Sequence, residues 1–236
     1  MAIDGFYQSS LGAVVVGLVT RRLAEFWPSG ALAGQTLLGY GHTSPYMGNW
    51  RGIAYRTIDM RPAHSSDRLA FVGGGAFCLT GEGSLPLADL SIDRVLLVHG
   101  LEAAENARRL LREFWRVLKD DGRLLMVVPN RHGIWAHLEN TPFGQGQPYT
   151  PGQIGRLMAE AMFRVERRDT ALFVPPGEHR MLHHAALVCE KFGRGVLPSL
   201  GGVTISEAIK DVYAALPETP SSRRRVVLAE IAYCRN

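Results

Sequence analysis

Two glycines, an aspartate and a histidine are the residues of this sequence whose types and spacing could do chemistry. Gly39 and Gly41 follow an apolar segment, and a glycine turn after a strand lets the backbone approach a ligand closely. Asp59 follows residues 54–58, and a carboxylate after a second strand can bind ribose hydroxyls. An isolated Gly-x-Gly and a turn aspartate also occur in purely structural turns, so the residues alone leave both interpretations open.

His99 is the candidate general base. It follows the apolar run 94–98, and imidazole titrates near neutral pH. A histidine in this position can instead cap the strand or bind a neighbouring backbone group, and both roles stay open. We expect Glu102 to open the next helix, because acidic residues are favoured near a helix N-terminus.

The elements that position these residues include a β-α-β unit. Runs 94–98 and 123–128 are almost continuously apolar, which suits strands buried on both faces of a sheet. Between them, residues 102–119 predict an amphipathic helix, followed by a turn whose Gly122 can take the left-handed conformation. One helical stripe carries its apolar residues, Leu110, Leu111, Phe114 and Leu118. The crossover predicts that the two strands are parallel.

Further segments extend this unit into an α/β fold. Strands are predicted at 35–39, 54–58, 71–80 and 164–174, and residues 202–210 are expected to form a strand that runs into a short helix. Helices are predicted at 5–27 and 149–163, the second with Thr150 as its cap and Pro151 at its first position.

Length and composition fit one domain. The chain has 236 residues, 46% of them hydrophobic, and we divide the single domain 1–236 into an N-terminal helix, a core at 35–215 and a C-terminal extension at 216–236. The apolar segment 11–19 is too short to span a bilayer, so no membrane span is expected. Three cysteines without CxxC spacing argue against a disulfide framework and favour a reducing, cytoplasmic location.

Two further groups of residues, one charged and one rich in histidine, have the composition of a binding site. The net charge is +4, and Arg223–Arg225 is interpreted as a solvated basic turn rather than a partner contact. His179, His183 and His184 include a pair spaced four apart, but no nearby acidic residue or cysteine completes a ligand set. No metal site is therefore expected.

Residues 81–124 resemble the class I S-adenosylmethionine-dependent methyltransferases, in particular the type 11-like members with a Leu-Pro signature. The matching text is Leu85-Pro86 after an acidic turn, a strand opened by Asp93, and Glu113-x-x-Arg116-Val-Leu before Gly122. Residues 129–136 and 141–144 extend the resemblance to a bacterial subgroup. It implies a Rossmann-like sheet of seven mostly parallel strands with helices on both faces, S-adenosylmethionine as cofactor, and methyl transfer to an unidentified small molecule, protein or nucleic acid.

The resemblance also assigns site residues. Cofactor contacts are expected from Gly39, Tyr40, Gly41, Asp59, Met60, Glu82 and Gly83. Acceptor contacts are expected from topology rather than from the resemblance, because the segment after the fifth strand lies on the same rim of the sheet: Asn130, Arg131, Trp135 and Phe143, with His42 and Tyr46 helping to close the same pocket. Arg131 and Trp135 either hold the acceptor or fasten their loop to the sheet.

The sequence departs from the family pattern where the cofactor is held. Leu37 stands in place of an acidic residue, Thr43 in place of a third glycine, and Gly81 in place of an aspartate. These departures keep a second hypothesis open, a non-catalytic methyltransferase-like binding or regulatory module with weakened or lost cofactor binding. We also expect Gly41→Val to abolish cofactor binding with little loss of fold.

Overall fold

The computed structural model describes residues 3–63, 78–176 and 180–212, without the side chains of Asp4 and residues 180–185. Several predictions lie outside the described residues. They are the expected strand before Cys78, the side chains of the three grouped histidines, the arginine triplet and the C-terminal extension.

Seven strands form one sheet in the order β3-β2-β1-β4-β5-β7-β6. Neighbouring strands from β1 to β5 are parallel, and β7 is antiparallel to both β5 and β6. The strands are β1 (Thr36–Gly41), β2 (Arg56–Pro62), β3 (Cys78–Thr80), β4 (Ile92–Val98), β5 (Leu118–Pro129), β6 (Phe163–Ala171) and β7 (Val203–Lys210). The predicted Rossmann-like sheet, mostly parallel and of seven strands, is confirmed.

Within the described ranges, five α-helices accompany the sheet: α1 (Ile3–Tyr7), α2 (Ser10–Phe26), α3 (Ala107–Val117), α4 (Pro151–Glu160) and α5 (Arg180–Val196). The predicted N-terminal helix 5–27 is divided in two, because Ser9 takes an extended conformation and its hydroxyl accepts a hydrogen bond from the backbone of Gly12. In α4 the predicted cap is confirmed, since Thr150 and Gln153 form a capping box. Helix α5 has no counterpart among the predicted elements.

Alternate residues of the central strands face two separate apolar cores, as the period of a strand requires. Leu37, Leu96 and Leu125 contribute to one core, together with apolar residues of α2 and α5. Leu38, Leu97 and Met126 contribute to the other, together with α3 and α4. Helices thus cover both faces of the sheet.

Several boundaries differ from the prediction, and three of the differences change the interpretation of a predicted residue or element. Strand β2 continues to Pro62, so that Asp59 lies inside the strand rather than after it. Strand β5 begins immediately after α3, and Gly122 lies within it without a left-handed φ. The segment 203–210 is a strand throughout, with no short helix at its end.

The Leu-Pro segment is held by two residues of α3. The Glu113 carboxylate accepts a hydrogen bond from the backbone of Leu85, and Arg116 donates to the carbonyl oxygens of Leu85 and Leu87. Arg116 also pairs with Asp89 and with Glu113, which lowers the pKa of the Glu113 carboxyl. The spacing Glu-x-x-Arg therefore serves the architecture of the domain, because it fastens a loop to a helix.

None of the helices in the described ranges is long and apolar enough to cross a membrane.

Candidate functional site at the carboxyl edge of the sheet

The carboxyl ends of β1, β2 and β4 bring the predicted site residues to one edge of the sheet. Gly39 pairs with Asp59 across β1 and β2, and Gly41 pairs with Val98, the residue before His99. Ligands of open parallel sheets bind at this edge.

His99 and Glu102 form a buried pair at the end of β4. The Nδ1 atom of His99 lies 2.8 Å from Oε1 of Glu102, and each side chain is only 3% exposed. A carboxylate can only accept, so Nδ1 carries the proton and Nε2 of the neutral ring keeps a free electron pair. The predicted role of Glu102 as the residue that opens the helix is wrong, because α3 begins at Ala107 with Asn106 as its cap.

The phenol of Tyr7, from helix α1, contacts the other side of this imidazole. Its Oη lies 2.7 Å from Nε2 of His99, and it accepts a 2.8 Å hydrogen bond from Oη of Tyr46. Burial raises the pKa of both phenols, so both are protonated at neutral pH. A continuous chain of hydrogen bonds therefore runs from Tyr46 through Tyr7 and His99 to Glu102.

His42 supplies a flat, uncharged surface beside this chain. Its ring stacks on that of Tyr7 with 4.7 Å between centroids and 16° between planes. Burial, followed by the nearby His99 and Arg61, lowers the pKa of His42 to about 3, so the ring is neutral at physiological pH. Tyr46, His42 and Phe143 do lie together, as expected: Tyr46 packs edge-on against Tyr7, and Phe143 against His99.

The backbone conformation and the neighbouring strand both require a glycine at position 41. Its φ is +89°, and a Cβ added there would lie 2.1 Å from the carbonyl oxygen of Val98. That oxygen also accepts a 2.7 Å hydrogen bond from the backbone of His42. The expectation that Gly41→Val would leave the fold nearly unchanged is therefore wrong.

The turn after β1 is filled by its own side chains. A Cβ at Gly39 would lie 2.4 Å from Oγ1 of Thr43, the residue at the third glycine position. Thr43 donates to Oδ1 of Asp59 at 2.9 Å, and Ser44 donates to Oδ2 at 2.5 Å. A carboxylate offers about four acceptor sites, so Asp59 retains capacity for further hydroxyls.

Glu82 and Gly83 border a cavity of about 400 Å³ at the ends of β2 and β3. The Glu82 carboxylate accepts hydrogen bonds from the backbone of Glu105 and Asn106. A Cβ at Gly83 would meet the guanidinium of Arg109, which packs over this glycine. The cavity is lined by Ala63, Gly81, Glu82, Gly83, Ser84, Glu105, Asn106 and Arg109.

Tyr40 and Met60 are part of the core on the α3 side of the sheet. The Tyr40 ring packs edge-on against Phe114 and lies beneath Gly100. Its buried Oη has no hydrogen-bond partner among the described residues, and burial together with the charge of Glu82 raises its pKa. Cofactor contacts by Tyr40 and Met60 stay predictions, and Met60 is only 3% exposed.

The predicted acceptor residues differ in their access to the edge. Asn130 is fully buried and donates to the carbonyl oxygens of Ser199 and Gly201, so its polar group fastens β5 to the segment before β7. Trp135 is 1% exposed and donates to the carbonyl of Val174, which matches the alternative that it fastens its loop. Arg131 is exposed, whereas Phe143 reaches the site through its contact with His99.

Tyr7 and Glu102 are the functional candidates that the sequence analysis missed. Tyr7 is separated from His99 by 92 positions, and no local pattern connects the two. His99 and Glu102 are three residues apart, a spacing that signals a pair only once the intervening turn is known. Within the described ranges, no group of three or more potential metal ligands exists.

Comparison with known proteins finds a family that resembles the central part of the chain. Residues 38–126 match the sequence model of a methyltransferase-domain family. This match covers the central part of the chain, and together with the seven-stranded sheet it supports a fold of the class I methyltransferase type. The cofactor of this class is S-adenosylmethionine.

Solved structures agree on the fold. An S-adenosylmethionine-dependent methyltransferase from Thermotoga maritima is 18% identical, with 88% of this chain and 94% of that chain covered at a TM-score of 0.63. One from Archaeoglobus fulgidus is 17% identical, with 83% and 94% covered at a TM-score of 0.57. The [4+2]-cyclase SpnF is 18% identical, with 81% and 79% covered at a TM-score of 0.53. No curated protein sequence is significantly similar to this chain. Because a cyclase shares the fold, the fold by itself does not identify the reaction.

Proposed function

We propose that this protein binds S-adenosylmethionine at the carboxyl edge of the sheet and transfers its methyl group to an acceptor activated by His99. The observation that carries the proposal is the buried Glu102–His99 pair, which leaves Nε2 as the basic atom at the end of β4, the edge where ligands of this fold bind. The acceptor and the cytoplasmic location remain predictions.

The residues at the edge fit the cofactor in its adenosine half. Asp59 has unused acceptor capacity for ribose hydroxyls, and the neighbouring cavity of about 400 Å³ has room for a planar base. The unpartnered Oη of Tyr40 and Oε2 of Glu102 are polar atoms that a ligand in this region could satisfy. The turn at Gly39 and Gly41 offers the cofactor less room, because other residues of the chain occupy the space that these glycines leave.

Methyl transfer demands little acid-base chemistry from the protein. S-adenosylmethionine supplies a methyl group on a positively charged sulfur, which is already activated for transfer. The protein must align the acceptor and exclude water, which the aromatic surroundings of His99 favour. His99 removes a proton from the acceptor, and Glu102 holds the imidazole in the required tautomer and stabilises its charged form.

A second candidate function is a methyltransferase-like binding module with little or no cofactor affinity. Two observations favour it. Thr43 fills the space above Gly39, and Tyr7 already occupies the Nε2 atom of His99. Leu37, which stands in place of the acidic residue, is apolar and fully buried in the core on the α2 side, so it offers the cofactor no charge.

Isothermal titration with S-adenosylmethionine and S-adenosylhomocysteine separates the two. We expect one-to-one binding at micromolar strength, weakened in Asp59→Asn by about tenfold to a hundredfold, the worth of a hydrogen bond to a charged group. Asp121→Asn is the matched control, because Asp121 is exposed at the opposite end of β5. Thermal unfolding of both variants shows whether Asp59→Asn remains folded. Absence of binding up to millimolar concentration would favour the module.

A further inference from the structure

We propose that Tyr7 occupies the acceptor subsite, and that the natural acceptor is a phenol that replaces the Tyr7 side chain. The inference rests on the proposed function and adds to it the class of the acceptor. It is drawn from the two hydrogen bonds and the stacked ring that surround the Tyr7 phenol.

The hydrogen bonds define what the oxygen of the acceptor must do. Oη of Tyr7 donates to Nε2 of His99 at 2.7 Å and accepts from Oη of Tyr46 at 2.8 Å. A hydroxyl satisfies both partners at once, because it carries one donor and acceptor electron pairs. A carboxylate could only accept, and it would bring a second negative charge close to Glu102.

The rings define what the hydroxyl is attached to. His42 stacks on Tyr7 with nearly parallel planes, while Tyr46 packs edge-on against the same ring. Because the His42 ring is neutral, it can stack on the face of an uncharged aromatic ring. An acceptor with a planar ring would make the same contacts, whereas an aliphatic alcohol would lose the stacking.

Tyr7 is placed so that it can leave. Helix α1 has only five residues, and the hydroxyl of Ser9 caps α2 independently of Tyr7. Phe6 anchors the helix instead, because it is 4% exposed and packs on Trp135 and Phe143. Phe6 also packs edge-on against Tyr7, so rotation of the partly buried Tyr7 side chain gives up that one contact and opens the subsite while Phe6 keeps its contacts with Trp135 and Phe143. An incoming phenol remakes both hydrogen bonds that Tyr7 gives up.

The reaction balances with a sulfonium methyl donor as co-reactant. The O–H bond of the acceptor breaks, its proton goes to Nε2 of His99, and its oxygen forms a bond to the methyl carbon. The bond between that carbon and sulfur breaks. Its electron pair stays on the sulfur, which becomes a neutral thioether. The product is an aryl methyl ether.

Fluorine NMR of the protein labelled with 3-fluorotyrosine tests the exchange directly. The Tyr7 resonance is assigned by its loss in Tyr7→Phe, and phenol or toluene is added with S-adenosylhomocysteine present. We expect phenol to shift the Tyr7 resonance toward that of an exposed tyrosine. Toluene should need at least about a tenfold higher concentration, because it leaves two polar groups unpaired. Equal responses to phenol and toluene, or no response to either, would overturn the proposal.

Two variants test the hydrogen bonds. Tyr46→Phe should reduce the preference for phenol over toluene, since it removes the donor to the acceptor oxygen. Tyr55→Phe is the matched control, because Tyr55 is 73% exposed and should leave the preference unchanged. An unchanged preference in Tyr46→Phe would contradict the assigned contact.

A product assay keeps this inference separate from the proposed function. Labelled S-adenosylmethionine and phenol should give labelled anisole. Cofactor binding in the titration without any anisole would overturn the phenol as acceptor while leaving the cofactor site intact. Loss of cofactor binding would instead refute the proposed function, and the NMR response to phenol would still report on the subsite.

Discussion

Replacing Gly41 by alanine should destabilise the fold, whether or not a cofactor binds. The residue has a φ of +89°, and an added Cβ would lie 2.1 Å from the carbonyl oxygen of Val98 in the neighbouring strand. Strands β1 and β4 must separate locally to admit the methyl group. That separation also endangers the hydrogen bond from His42 to Val98, which is 2.7 Å long.

The cost can be built from three contributions. A left-handed conformation costs a residue with a Cβ roughly 1–2 kcal/mol. Overpacking against a backbone atom that cannot rotate away adds about 1–3 kcal/mol. A weakened hydrogen bond adds about 0.5–1.5 kcal/mol. We therefore expect Gly41→Ala to lower the free energy of unfolding by roughly 3–6 kcal/mol, a large share of the 5–15 kcal/mol that is typical of a domain.

Urea unfolding followed by circular dichroism at 25 °C measures this change. Gly17→Ala is the matched control, because Gly17 lies inside α2 with no atom within 4 Å of the added Cβ. Alanine there should raise the free energy of unfolding by about 0.5–1 kcal/mol. A Gly41→Ala protein as stable as the wild type would refute the steric reasoning, and the glycine would then be explained better by close approach of a ligand.

Three further perturbations probe the core, the pH dependence and the base. Glu207→Ala should cost roughly 1–3 kcal/mol in urea unfolding, because it leaves the buried indole N–H of Trp27 without its 2.8 Å acceptor, whereas Glu207→Gln should cost less. The depressed pKa of His42, about 3 in the fold, means that the unfolded chain binds the extra proton between pH 6.5 and 3, so stability falls as pH falls through this window. From pH 7 to pH 5 the wild type should lose about 2 kcal/mol more than His42→Phe, and equal losses would contradict the assignment. Glu102→Gln should lower kcat for methyl transfer by about tenfold or more, because the neutral amide stabilises the charged ring of His99 less; an unchanged kcat in steady-state assays would make Glu102 purely structural.

Elements with a regular local signal could be predicted from the sequence. Strands β4 and β5 follow from apolar runs, and the apolar stripe of α3 matches the buried residues Leu110, Leu111 and Phe114. Helix α4 was predicted with its cap because Thr150 and Pro151 are typical of a helix start. In each case the signal lies within a few residues of the element that it specifies.

The site could be predicted only in part, since its contacts depend on the fold. His99 was identified from its place after a strand, but its partners were not. Glu102 is placed at the helix start by a local rule, but in the structure the cap is Asn106, four residues later, whose side chain accepts a hydrogen bond from the backbone of Arg109. Tyr7 comes from a helix at the other end of the chain and could not be connected to His99 by spacing.

The motifs that reveal the family and the groups that could do chemistry are different residues. Glu113 and Arg116 fasten the Leu-Pro segment, and Gly41 lets two strands approach, so each has a structural reason that holds with or without catalysis. The family match therefore supports the enzyme and the module almost equally.

The Glu102–His99 pair, in contrast, does not support the enzyme and the module equally. Oε2 of Glu102 is buried without a hydrogen-bond partner in the described part of the chain, and a buried polar atom left unpaired costs about 1–3 kcal/mol. An apolar residue at position 102 would avoid that cost if the domain needed only to fold. A carboxylate that orients a base and stabilises its charged form does need to be there, and this favours the enzyme over the module.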